Sequence, residues 1–317
     1  MVEVWLCFGE AEYPALLPDP IDLRIFPRVS PSKEEKINVL NKLRDALNSV
    51  DNPVVWIDDT LSENERRVVR DLLKKTGVKF KEEENYNVLI GITRQSPITL
   101  WRGVVPYVFI KTNFDKVKEL ITEKKRPRLT ENELMKDYPK ELMSISLVMA
   151  DNEFPWEVYW GEGTDPWIKS LNYYKERWEL KISLSPITIA SIGGYPYDAG
   201  LANTLESTLK LLSHKGISTL IILSDSSLEF EYDPTKLSAI KEEDIASYQD
   251  LVLYSFIKSI KEFSGTVYFV SSLPKTFTKI LNVKSAKKVE DILNRIPAKK
   301  KRIISVIEDL TNTYIPK

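Results

Sequence analysis

The chain is poor in the side chains that most often carry chemistry: one histidine, His214, and one cysteine, Cys7, among 317 residues. That scarcity excludes zinc sites built from several such ligands, and a lone cysteine excludes any intrachain disulfide. Ser-His-Asp catalysis would have to run through His214, which sits beside Lys215 and Gly216 at the expected end of a helix. A cation suits the helix dipole there, so His214 reads as a capping or surface residue. Cys7 lies in an apolar stretch and reads as a core thiol. An excess of one charge is missing too: 45 Lys and Arg balance 46 Asp and Glu, for a net charge of −1. No basic field exists to attract nucleic acid. No GxxxxGK[ST] phosphate loop occurs, and the Gly193-Gly194 turn lacks the third glycine of a GxGxxG fingerprint. The N-terminus lacks the basic-then-apolar pattern of a signal peptide, and no run approaches a membrane span. A cytoplasmic protein with neither nucleic-acid nor membrane partner is expected.

What is present is ordinary globular composition, 43% apolar and 29% charged, in a length that suits two domains with their own cores. The clearest organisation lies in Pro186–Asp225. Ile187–Ile192 reads as a buried strand and stops at Gly193-Gly194. Asp198 is placed to cap a helix. Leu201, Leu205, Leu209 and Leu212 share a helical face, Gly216 offers the left-handed stop, and Thr219–Leu223 reads as a second strand. This is a βαβ unit with parallel strands. Its glycine turn falls at the carboxyl end of a strand, where open α/β sheets bind ligands.

The same alternation runs through the rest. Val2–Phe8 and Ile21–Phe26 read as strands around the loop Leu17-Pro18-Asp19-Pro20. Ser32 with Glu35, and Ser62 with Glu65, form capping-box patterns before two helices. Val54–Ile57, Val88–Ile92, Tyr107–Ile110 and Ser144–Ala150 read as strands, and Phe114–Ile121 as a helix. Lys124–Arg128 and Lys299–Arg302 read as solvated charge runs. Phe154–Trp178 is rich in aromatic residues and is a domain-junction packing surface, a ligand wall or a face for a protein partner. Asp165-Pro166 opens a linker helix over Pro166–Leu180. Asp244–Phe263 and Ala286–Ile296 read as helices, Thr266–Val270 and Arg302–Ile307 as strands, and Phe230–Ser238 as a loop. The expected division is an N-terminal α/β domain over 1–165, an aromatic hinge over 166–183 and a C-terminal α/β domain over 184–317, with mostly parallel sheets.

The Ile-Gly-Gly-Tyr-Pro-x-Asp pattern at Ile192–Asp198, between two such strands, resembles the C-terminal domain of the nickel-pincer lactate racemase family. Phe8-Gly9 with Leu17-Pro18-Asp19 is similar to that family's opening. Val54–Thr60 resembles its strand leading into Ser-Asp-His-Thr-Arg, with Asp58 and Thr60 matching. The resemblance implies a lactate-racemase-like fold with substrate held between two domains, where a nickel-pincer nucleotide takes hydride from lactate. That chemistry needs a cofactor-bearing lysine and several histidines. Here Asp59 and Leu61 replace the family's His and Arg, Thr93-Arg94-Gln95 replaces its second histidine motif, and Asn203 and Glu206 replace its Gln and Lys. The lysine-rich cofactor segment has no counterpart between Lys111 and Glu141. The expectation is therefore a fold kept without nickel, without that cofactor and without lactate racemisation.

Two functional classes follow. One is a non-catalytic relative, a pseudoenzyme with a binding or regulatory role that takes a small polar or carboxylate metabolite in the interdomain cleft. The other is a divergent isomerase- or lyase-type enzyme in which Asp58, Asp59 and Arg94 do acid–base work, with a divalent cation as an option for the paired carboxylates. Under either, the expected ligand-facing residues are Asp58, Asp59, Thr60 and Arg94 on one wall. Gly193, Gly194, Tyr195, Asp198 and Asn203 form the other. Arg94 is the expected cation for a ligand carboxylate.

Overall fold

A computed structural model describes residues 2–17, 22–28, 30–123, 129–150, 154–180, 183–195, 197–226, 232, 237, 240–297 and 303–315. The expected charge runs at Lys124–Arg128 and Lys299–Arg302, and most of the Phe230–Ser238 loop, lie outside them. In chain order the elements begin with β1 (Val2–Phe8), β2 (Ala11–Leu17), β3 (Asp22–Phe26), α1 (Lys33–Asn48), β4 (Val54–Ile57) and α2 (Glu63–Lys75). Next come β5 (Lys81–Glu82), β6 (Val88–Ile92), β7 (Arg94–Ser96), β8 (Leu100–Arg102), α3 (Val104–Thr112), α4 (Phe114–Thr122) and α5 (Glu131–Met135). They are followed by β9 (Met143–Met149), β10 (Pro155–Glu162), α6 (Asp165–Trp178), β11 (Ile187–Ser191), α7 (Leu201–Leu212) and β12 (Thr219–Leu223). The last are α8 (Tyr248–Glu262), β13 (Thr266–Val270), α9 (Lys275–Ile280), β14 (Lys284–Ala286), α10 (Val289–Leu293) and β15 (Ile303–Ile307).

The chain forms two compact units, one made of Met1–Arg28 with Leu180–Thr311, the other of Val29–Glu179 with Asn312–Lys317. This division differs from the expected one at both ends. β3 joins the second half of the chain because it pairs in parallel with β15, from Asp22 opposite Ile303 to Phe26 opposite Ile307. Val4, Leu6, Ala15 and Leu17 of the β1–β2 hairpin share a core with Ile187, Ile221 and Ile304. Helix α6, expected as a linker, packs on β9 and β10 within the other unit.

In the unit holding residues 180–311 the sheet runs β14-β13-β12-β11-β15-β3, every neighbouring pair parallel. All five residues of β11 are buried, as a parallel sheet covered on both faces requires. The βαβ reading of 186–225 holds for β11, α7 and β12, with two changes. α7 starts after Gly200 with no side-chain cap, so Asp198 is not its N-cap. It ends at Ser213, and Gly216 is absent from the positive-φ glycines. His214 therefore falls just beyond the helix, half-buried, where burial lowers its pKa.

The other unit has the sheet β10-β9-β6-β4-β5, parallel except for the β9–β10 hairpin. Val39, Leu43 and Leu47 of α1 and Val69, Leu72 and Leu73 of α2 pack against Val55, Ile57, Ile90 and Leu147. Each such side chain contributes about 1.5–3 kcal/mol on burial. Both expected capping boxes form, Ser32 with Glu35 and Ser62 with Glu65. The strand expected at Tyr107–Ile110 is instead part of α3. Every residue from Val104 to Ile110 is buried, and a segment buried all round shows no period that separates helix from strand. Trp156, Trp167, Tyr174 and Trp178 of the aromatic stretch are buried, while Trp160 is exposed. No helix among the described residues is long and apolar enough to cross a membrane.

Candidate functional site

The expected residues fall into two groups in different units. In the unit holding 29–179, Asp58 follows β4, and its amide donates to Ile90 O at 2.9 Å, fixing it at the carboxyl end of the sheet. Its Oδ1 accepts from Thr60 N at 2.9 Å and Thr60 Oγ1 at 2.6 Å. This is an Asx turn, in which a side chain stands in for backbone. Its Oδ2 is buried with no hydrogen-bond partner among the described residues. Burial raises the Asp58 pKa to about 6, against the opposing pull of Arg102 and the Thr60 bonds. Arg102 Nη2 donates to Thr60 O, and to Thr60 Oγ1 at 3.0 Å.

Arg94, expected on the ligand-facing wall, is buried in an ion pair. Its Nη1 donates to Glu65 Oε1, with both residues almost wholly buried. The other oxygen of Glu65 accepts from Ser62 N at 2.9 Å and Ser62 Oγ at 3.0 Å. Burial alone would raise the Glu65 pKa, but Arg94 and Arg102 outweigh it and hold the carboxyl well below its ordinary range. The two arginines lie side by side because β7 and β8 pair antiparallel with Arg94 opposite Arg102. Sequence reasoning took Glu65 for a cap and left Arg102 unassigned; the capping box hid the ion pair.

Next to Thr93, whose Oγ1 lies 2.7 Å from Ser170 Oγ, and Arg94 comes Gln95, which reaches the C-terminal segment. Gln95 Nε2 donates to Ile315 O at 2.8 Å, and Gln95 Oε1 accepts from Ile315 N at 2.9 Å. Thus Arg94 and Gln95 are both engaged within the protein.

Asp59 is exposed. It accepts from Tyr107 Oη at 3.3 Å, and Tyr107 Oη accepts from Trp56 Nε1 at 2.8 Å. Tyr86 stacks on Trp56 with ring centroids 6.2 Å apart. Burial first, then the Asp59 charge, raises the pKa of both Tyr107 and Tyr86.

In the unit holding 180–311, Gly193 and Gly194 take φ of +112° and +75°. A Cβ on Gly193 would lie 2.6 Å from Asp309 Oδ1, so glycine is needed both for conformation and for space. Tyr195 N donates to Gly9 O at 2.7 Å. Asp198 is buried and ties two loops together. Its Oδ2 accepts from Gly9 N at 2.7 Å and Asp225 N at 3.3 Å, while Oδ1 has no hydrogen-bond partner among the described residues. Burial raises its pKa. Asn203 is buried on α7. Glu206 accepts from Tyr248 Oη at 2.6 Å. Cys7, half-buried rather than in the core, lies 3.0 Å from Arg28 Nη1. Among the described residues no group of three or more His, Cys, Asp or Glu side chains is placed to hold a metal ion.

No family model matches the chain, and no curated protein matches it by sequence. Among solved structures, it is similar to the lactate racemase apoprotein from Thermoanaerobacterium thermosaccharolyticum. The TM-score is 0.65 at 12% identity, with 100% of each chain covered. It is also similar to a Thermotoga maritima structural-genomics protein, with TM-score 0.50 and 10% identity over 92% of this chain and 100% of that one. The chain has a lactate-racemase-like α/β fold.

Proposed function

We propose that this chain is a lactate-racemase-like protein that does not perform nickel-pincer chemistry and instead binds a small polar ligand at the carboxyl end of β4. The observation that carries the reading is Asp58, a fully buried carboxyl whose Oδ2 has no hydrogen-bond partner among the described residues. A buried acceptor without a donor costs about 1–3 kcal/mol, and uncompensated groups of this kind gather at functional sites. The donor chemistry around it does not fit a nickel-pincer group. Asp59 replaces a histidine, Arg94 is neutralised by Glu65, and Gln95 is bonded to Ile315. The same pairing removes the cation expected for a ligand carboxylate, which shifts the reading from a carboxylate toward a ligand with hydroxyl or amine donors. The raised pKa of Asp58 favours a second reading, an enzyme in which this carboxyl accepts a proton near neutral pH.

Native mass spectrometry of protein purified untagged, with elemental analysis, tests the first reading. A bound small molecule lost in Asp58→Asn supports it. Stoichiometric nickel with lactate racemisation refutes it. Turnover of the released molecule that Asp58→Asn abolishes selects the enzyme.

A further inference from the structure

Beside Asp58, the surface of the same unit carries an arrangement suited to an organic cation. Trp56, Tyr86 and Tyr107 bring three rings together at the end of β4 and the start of α3, and Asp59 adds an exposed carboxylate. A cation is already present there, from the chain itself. Lys111 lies one helical turn beyond Tyr107, the spacing that puts two side chains on one face. Its Nζ sits 5.7 Å from the Trp56 ring centroid and 5.7 Å from that of Tyr107. It also donates to Tyr107 Oη at 3.4 Å.

Each of these contacts is long. Ring faces attract cations out to about 6 Å, and an N–H···O bond is best near 2.9 Å. Lys111 is exposed, so holding its flexible side chain over the rings also costs rotamer entropy. An internal ammonium held this loosely can be displaced by a better-placed one. Arg94 is paired with Glu65, and the Arg102 charge acts on both Asp58 and Glu65. Asp59, which accepts from Tyr107 Oη, is the exposed carboxylate that an incoming ammonium ion can pair with.

We infer that Trp56, Tyr86, Tyr107 and Asp59 form a binding site for a small organic ammonium ion, which Lys111 occupies as an internal placeholder. The inference rests on reading the β4 end as a ligand site and names the class of ligand. The ammonium lies over the ring faces and pairs with Asp59, while any hydroxyl or second amine it carries can reach toward Asp58.

Isothermal titration calorimetry of the full chain with 1,4-diaminobutane tests it, with lactate as the anionic control. Removing the placeholder should tighten binding: Lys111→Gln is expected to lower the diamine Kd by about tenfold, and Asp59→Asn to raise it by about tenfold. Both side chains are exposed, and circular dichroism confirms that the variants fold. Nα-acetyl-lysine amide, titrated in parallel, distinguishes a free amine from a lysine side chain as the source of the ammonium. An unchanged diamine affinity in Lys111→Gln overturns the inference, as does binding indifferent to Asp59→Asn. Asp58-dependent lactate binding without diamine binding sinks the ammonium class and leaves the ligand site standing. Binding of neither probe, with no molecule co-purifying, sinks both.

Discussion

The guanidinium of Arg94 closes on the carboxylate of Glu65 with both side chains withdrawn from solvent. The pair joins the strand following β6 to the first turn of α2, and Arg102 adds a second cation to the same carboxylate's field. A cation that sequence places at a strand end, ready for a ligand, is therefore consumed inside the protein.

The first prediction concerns this pair. Arg94→Ala leaves the Glu65 charge buried without its Arg94 partner, and breaking a buried pair from one side costs about 3–5 kcal/mol. A solvated, ligand-facing Arg94 would instead leave the melting temperature nearly unchanged. Chemical denaturation of both proteins distinguishes them. Equal midpoints would show that Arg94 is solvated in solution.

Asp58 sets a pH dependence. Its folded pKa is raised from 3.8 to about 6, chiefly by burial. A raised carboxyl contributes most to stability below its unfolded pKa, and that contribution is lost as pH climbs through the folded value. Asp58→Asn should therefore match wild type near pH 4 and exceed it by on the order of 2–3 kcal/mol above pH 7. Melting curves across that range check it. A difference that is constant with pH would show that Asp58 titrates normally.

The alternation of buried strands and capped helices was legible because its signals are local. Ser32 and Ser62 announce helices three residues ahead of their glutamates, and Ile187–Ser191 is apolar enough to need burial on both faces. What stayed hidden depends on distant pairing. Nothing near Asp22–Phe26 indicates a partner at Ile303–Ile307, so the N-terminal strands were assigned to the wrong half. Arg102 gained meaning only once β7 and β8 placed it opposite Arg94. Of the candidate site, Asp58 and Asp59 stood out through the family resemblance, while the burial of Arg94 against Glu65 was not legible. Tyr107 was lost to a strand assignment, because a segment buried on every side carries no readable period.

Gly193 provides a third test. Its φ of +112° disfavours any side chain, and a Cβ would come within 2.6 Å of Asp309 Oδ1. Gly193→Ala should destabilise the protein by more than about 1 kcal/mol. Adding Asp309→Ala relieves the close approach but not the backbone, so rescue should be partial. Full recovery in the double variant, measured by thermal unfolding, would show that contact alone sets the requirement.

The last prediction follows the C-terminal segment. Tyr314 N donates to Trp178 O at 2.8 Å, and the Tyr314 ring packs 5.3 Å from that of Trp101. Ile315, itself buried, has both of its backbone groups taken by the Gln95 amide. A carboxamide can do this because it carries a donor and an acceptor side by side, as a peptide group does. Gln95→Leu removes both and leaves two buried backbone groups unpaired, at about 1–3 kcal/mol each. Gln95→Glu keeps the acceptor for Ile315 N and turns a repelling oxygen on Ile315 O. The expected order of hydrogen-exchange protection at Tyr314 and Ile315 is wild type first, with both variants far below it. Asp58, on a separate strand end, should keep its pH dependence in both. If Gln95→Leu leaves protection at Ile315 unchanged, packing of Tyr314 against Trp101 holds the segment and the amide does not.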